Sequence, residues 1–186
     1  MKNAFIIHGT GGSSTGNWFP WLATELEKEG YTVFVPNFPT PENQSLQNWL
    51  AIFDPYKQYL NEETIVIGHS LGPAFLLRIL EKLSHSIKAS FFVSGFTTLL
   101  DNPEFDELNR TFVTDPFDWE AIQNNCHQFA IINSDDDPYV PVEKGQIIAD
   151  HLHAQLTVIK GGGHLNTEAG YTTFPFLLEE IQKRTE

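Results

Sequence analysis

Short apolar runs alternate along the chain with amphipathic stretches. The runs are Ala4 to Ile7, Thr32 to Val35, Thr64 to Ile67, Ala89 to Val93, Gln128 to Ile132 and Leu156 to Ile159. Each is rich in β-branched or aromatic residues and does not alternate with polar positions, the pattern of strands covered on both faces. Helical patterning lies between them, over about 18 to 29, 44 to 60, 71 to 83, 118 to 124 and 142 to 153, with a last segment near 171 to 184. Strand and helix repeated in this way predict an α/β fold with a mainly parallel sheet and right-handed crossovers. Neither a sequence repeat nor a low-complexity tract interrupts the pattern, so one domain over residues 1–186 is expected. Gly95 to Asp118 is the exception, carrying scattered Phe96, Leu99, Leu100, Phe105 and Phe112 with no evident element. Long connections in compact domains usually serve function, and the apolar content predicts a wall or small cap over a site.

Composition narrows the function classes. The chain is 41% hydrophobic over 186 residues, enough to bury a core. Its 24 acidic and 11 basic residues leave a formal charge of -13, which repels phosphate backbones and anionic membrane surfaces. A nucleic-acid partner is not expected. Cys126 is the sole cysteine, so there is neither an internal disulfide nor a cysteine cluster for zinc, consistent with a cytoplasmic setting. The opening MKNAFIIHG reads as a strand and not a signal sequence. No segment approaches the roughly 18 apolar residues of a membrane span.

Four segments carry candidate chemistry. Gly68-His69-Ser70-Leu71-Gly72 follows a strand and precedes a helix. That is the setting of a nucleophile elbow, where small residues two before and two after the serine permit a tight, strained turn. Ser70 is the expected nucleophile, and the Leu71 N–H at the helix start is an expected oxyanion donor. His8-Gly9-Thr10-Gly11-Gly12 follows the first strand without the Lys-Ser/Thr of a P-loop or the spacing of a dinucleotide fingerprint, so the Thr10 N–H is expected as the second donor. His8 has no spaced partner for a metal, and neither metal nor cofactor is expected. Gly161-Gly162-Gly163-His164 supplies a histidine from a loop after the last strand. Ser134-Asp135-Asp136-Asp137-Pro138 supplies an acid between the serine and the histidine, the chain order Ser, Asp, His of this kind of hydrolase. The carboxylate is expected from Asp137, whose position before Pro138 restrains its backbone. Asp135 and Asp136 are expected to be solvated turn residues. Trp18 and Phe19, with Phe96 on the long connection, are the pocket-lining candidates, although helical spacing also suits the first two to the core.

With IIHGTGG and the following NWFPWL, GHSLG, DPFDWEAIQNNC, SDDDPYVP and GGGH in place, the chain resembles the small serine hydrolases that include YdeN-like proteins and retinoblastoma-binding protein 9. The resemblance spans nearly the whole sequence. It implies a reduced α/β-hydrolase fold, a three-layer sandwich whose six strands run in the order 2-1-3-4-5-6, and hydrolysis of small esters or amides. It also implies a triad of Ser70, Asp137 and His164. The L-x-C-x-E motif tied to the retinoblastoma protein is absent, the one cysteine lying in NNCHQ, so that partner is not carried over.

Overall fold

Runs of Ile, Val, Ala and Phe form six strands in a computed structural model that describes residues 1–185. They are β1 (Asn3–Ile7), β2 (Thr32–Phe34), β3 (Ile65–His69), β4 (Ala89–Val93), β5 (Phe129–Ser134) and β6 (Leu156–Ile159). The strands make one sheet in the order β2-β1-β3-β4-β5-β6, with every neighbouring pair parallel. The helices are α1 (Phe19–Lys28), α2 (Leu46–Phe53), α3 (Gly72–Leu80), α4 (Pro103–Val113), α5 (Trp119–Asn124), α6 (Val142–Leu152) and α7 (Pro175–Thr185).

Alternation of side chains along each strand divides the core into two layers. Ala4, Ile6, Ile65, Ile67, Phe91, Val93 and Ile132 meet Phe19, Leu22 and Leu26 of α1 and Leu177 and Ile181 of α7. On the other face Phe5, Ile7, Val66, Phe92 and Ile131 pack with residues of α2, α3, α5 and α6. Helix α3 is buried along its whole length, which is why its sequence GPAFLLRIL is apolar nearly all round. The result is the expected three-layer α/β sandwich, the reduced hydrolase fold.

Several boundaries differ from the sequence expectation for identifiable reasons. Strands β3 and β5 continue to His69 and Ser134, carrying the chain to the carboxyl edge of the sheet. The edge strands β2 and β6 are only partly covered, and Val158 is 43% exposed. The pattern over 44 to 60 splits into α2 and a 3-10 helix at Asp54–Tyr59, where Pro55 cannot continue the α-helical hydrogen bonding. The Gly95 to Asp118 connection is not irregular throughout, since it contains α4. Asn102 caps that helix by accepting from the Glu104 and Phe105 N–H groups, and Pro103 stands in its first turn.

Candidate active site

Ser70 follows directly on the last residue of β3 and adopts φ +60°, a left-handed conformation that costs energy for any residue with a side chain. The turn closes only because its flanks are glycine. A Cβ on Gly68 would lie 2.6 Å from Pro73 N, and one on Gly72 would lie 2.5 Å from Ile7 O. The Ser70 N–H donates to Val93 O at 2.9 Å, anchoring the elbow to β4. The glycine-rich loop after β1 lies against this turn, since a Cβ on Gly9 would stand 2.6 Å from Ser70 Cβ and 3.0 Å from Leu71 N. Among the described residues, neither the Thr10 nor the Leu71 N–H finds an acceptor within the protein. His8 holds the same loop from below. Its Nε2 accepts from the Phe38 N–H at 2.9 Å, which leaves the proton on Nδ1 to donate to Gly9 O at 2.8 Å. Burial pushes its pKa down, so the imidazole stays neutral.

The Asp and Gly segments after β5 and β6 meet residue for residue. Asp135 Oδ1 accepts from Gly161 N at 2.8 Å, Ser134 Oγ from Gly162 N at 2.9 Å, and Asp136 Oδ1 from Gly163 N at 2.8 Å. His164 Nδ1 then pairs with Asp137 Oδ2 at 2.8 Å. The other oxygen of Asp137 accepts from the Tyr139 and Val140 N–H groups at 2.9 and 3.0 Å, and its side chain is fully buried. Asp135 and Asp136 are exposed turn residues, as expected, but they are also tied to the histidine loop. They bind the Gly161 and Gly163 amides, and the Ser134 hydroxyl, followed by the Gly163 N–H, holds the Asp136 carboxyl below its usual range. The His164 carbonyl accepts from His69 Nε2 at 2.9 Å and Ser94 Oγ at 3.2 Å. His69 is pushed down to a pKa of about 3, first by burial and then by the neighbouring His164, and donates as a neutral ring.

Ser70 and His164 share the wall of a cavity of about 70 Å³ with Thr10, Phe96, Leu100, Phe105, Asn109, Tyr139 and Val140. Ser70 Oγ makes no hydrogen bond to another described residue. Catalytic hydrogen bonds are often long in unliganded sites and tighten around substrate. Of the three pocket-lining candidates, Phe96 lies on this wall. Trp18 and Phe19 do not: both are fully buried in the α1 and α7 layer, with Trp18 Nε1 donating to Leu165 O at 2.9 Å and its ring edge-on to Phe19. Their apolar helical spacing serves the core beneath the histidine loop.

The Gly95 to Asp118 connection, expected as a wall or small cap, does supply Leu100 and Phe105 to this wall, whereas Asn109, Tyr139 and Val140 were not singled out in the sequence. Leu100, Phe105 and Asn109 come from α4 and its approach, while Tyr139 and Val140 follow the acid. The Asn102-Pro103-Glu104 start of a helix was the available signal for the first three. Tyr139 sets its ring 5.1 Å from that of His164 and donates its hydroxyl to Glu168 at 3.1 Å. A larger groove of about 430 Å³ between Leu46, Lys57 and His85 contains none of these groups. No group of three or more His, Cys, Asp or Glu is arranged to hold a metal ion among the described residues, and none of their helices is long and apolar enough to cross a membrane.

Known proteins share this architecture. The chain is 34% identical over 182 residues to YdeN of Bacillus subtilis (strain 168), covering 97% of this chain and 94% of that protein. It is 32% identical over 169 residues to the serine hydrolase RBBP9 of Rattus norvegicus, covering 89% and 88% of the two chains. The crystal structure of the B. subtilis ydeN gene product superposes with a TM-score of 0.92 at 33% identity, over 99% of this chain and 98% of that one. Est1E of Butyrivibrio proteoclasticus, solved with ferulic acid bound, superposes with a TM-score of 0.71 over 98% and 90% of the chains, a likeness of fold alone at 18% identity. The sequence pattern that describes the serine hydrolase family matches residues 4–183. This chain, with its α/β-hydrolase fold, belongs to the serine hydrolase family.

Proposed function

We propose that the protein cleaves small ester or amide substrates through an acyl-enzyme on Ser70. The observation that carries this reading is the sharing of one cavity by a serine in a strained elbow and a histidine whose far nitrogen is bound by a fully buried aspartate. Asp137 keeps the proton of His164 on Nδ1, leaving Nε2 free to take the proton of Ser70 as its oxygen attacks the substrate carbonyl. Charge then develops on the carbonyl oxygen. The Thr10 and Leu71 N–H groups, which have no other acceptor among the described residues, donate to it in a site where pre-aimed dipoles need no reorganisation. Collapse of the tetrahedral intermediate expels an alcohol or amine that receives its proton from His164. Water, deprotonated by the same nitrogen, then attacks the acyl-enzyme, and collapse of the second intermediate releases the acid as Ser70 Oγ leaves and takes that proton back from His164. The small volume and the apolar walls of Phe96, Leu100, Phe105 and Val140 favour short acyl groups. Every step uses side chains and backbone amides already in the chain.

Hydrolysis of a short-chain p-nitrophenyl ester tests the proposal. Ser70→Ala should lower kcat by about 10^3-fold or more with the circular dichroism spectrum unchanged. Full activity in that variant would overturn the assignment.

A further inference from the structure

Asn109 is polar, 2% exposed, and part of the wall of the Ser70 cavity. A chain of hydrogen bonds determines which end of its amide faces that cavity. The Gly11 N–H donates to Thr40 Oγ1, so the Thr40 hydroxyl spends its own proton on Gln44 Oε1 at 2.6 Å. Gln44 Nε2 is thereby the donor end of its amide, and it reaches the Leu108 carbonyl, which can only accept, at 3.0 Å. Its second N–H is shared between Thr10 Oγ1 and Asn109, both at 3.0 Å. Thr10 Oγ1 in turn donates to Asn109 at 2.7 Å. The Asn109 atom that receives two donors is its oxygen. Nδ2 is left without an acceptor among the described residues and is not sealed from solvent, so it is the end of the amide available to the cavity that Asn109 lines.

Such a donor is stranded when a substrate displaces water from the cavity without offering an acceptor, and that costs free energy. We propose that Asn109 Nδ2 donates to an oxygen in the acyl part of the substrate, so that the preferred substrates are esters or amides of short alkoxy-, hydroxy- or oxo-acids and not of plain alkanoic acids. This rests on the reading of Ser70 as nucleophile. The acyl part is the one concerned because the leaving group must lie against His164, which protonates it, whereas Asn109 is tied through Thr10 to the oxyanion side. Sites built to hydrogen-bond a substrate discriminate strongly against analogues that lack the group, since the protein donor is then stranded.

The test compares p-nitrophenyl methoxyacetate with p-nitrophenyl butyrate, acyl chains of equal length in which an ether oxygen replaces one methylene. The kcat/KM ratio of the two is divided by the ratio of their hydroxide-catalysed rates to remove intrinsic reactivity. The wild-type protein should favour the methoxyacetate. Asn109→Asp keeps an oxygen for Thr10 and Gln44 but presents an acceptor in place of the donor, and Asn109→Leu removes both. Each should reduce the corrected ratio by about 10-fold or more. General damage to the Thr10 loop would slow both esters alike and leave the ratio where it was. An unchanged ratio in both variants, with both esters hydrolysed, would overturn the assignment of Asn109 alone. Hydrolysis of neither ester by the wild-type protein would overturn the Ser70 reading and this inference with it.

Discussion

Asp137 has two oxygens with separate duties, one held by the Tyr139 and Val140 amides and the other by His164 Nδ1. Its neighbours act on the loop that carries the histidine. Asp137→Asn should therefore lower turnover by at least about 10^2-fold, because an amide nitrogen facing Nδ1 favours the wrong tautomer. Asp136→Ala removes the acceptor for the Gly163 N–H and should cost about 10-fold in kcat through a loosened loop, whereas Asp136→Asn keeps an acceptor and should stay within a few-fold of wild type. Ester kinetics on the three variants decide this, and a crippled Asp136→Asn beside a near-normal Asp137→Asn would contradict the account. His69 makes a separate prediction. Its pKa lies at about 3 in the folded chain against 6.5 for a free histidine, so between those values the unfolded chain binds a proton that the folded chain does not. The associated stability is complete above about pH 6.5 and is lost as pH falls, by up to about 1.4 kcal/mol per unit. His69→Gln retains an N–H for the His164 carbonyl without this titration. Its urea midpoint should fall less than that of wild type between pH 7 and pH 5, and parallel losses would refute the assignment.

At the scale of elements, the part of the molecule least legible in the sequence is α4 and its surroundings. The spacing of hydrophobes in Gly95 to Asp118 is weak because α4 presents only Asn109, Phe112 and Val113 as buried residues, one of them polar. What holds the segment is long-range and leaves no local periodicity. Arg78 of α3, buried in the middle of an apolar helix, donates from Nε to Phe112 O at 3.0 Å and from Nη1 to Pro116 O at 3.1 Å. Its Nη2 reaches Asp115 O, it pairs with Glu81, and its guanidinium lies 3.6 Å over the Phe117 ring. Helix α3 thereby fastens the chain leaving α4, whose other end lines the cavity. Arg78→Met should cost about 3–5 kcal/mol, the scale of a buried ion stripped of its partners with carbonyls left unpaired. Hydrogen exchange should quicken most over residues 103–118. A loss below about 1 kcal/mol, or exchange raised evenly over the chain, would count against this role.

For the whole molecule, the alternation of apolar runs and amphipathic stretches was enough to read a parallel α/β sheet, because central strands buried on both faces must be apolar throughout. The strand order came from the resemblance to a family, since periodicity carries no information on which strands are neighbours. Ser70, Asp137 and His164 could be singled out as candidates for a related reason: Ser70 has a glycine two residues away on either side, Asp137 precedes a proline and His164 follows a glycine. Trp18 and Phe19 were ambiguous, as an aromatic on an apolar helix face looks the same whether it meets core or ligand. Asn109 was invisible, because its significance lies in which end of an amide is already occupied by Thr10 and Gln44, residues distant in sequence. The parallel sheet brings the loops after β1, β3, β5 and β6 to one edge, where ligands bind in such folds. In the proposed mechanism this edge activates Ser70. Reaction with a fluorophosphonate, followed by digestion and mass spectrometry, tests it most directly. The account predicts one adduct per chain, on the peptide containing Ser70, and its loss in Ser70→Ala; an adduct on any other residue, or an unlabelled native chain, would contradict it.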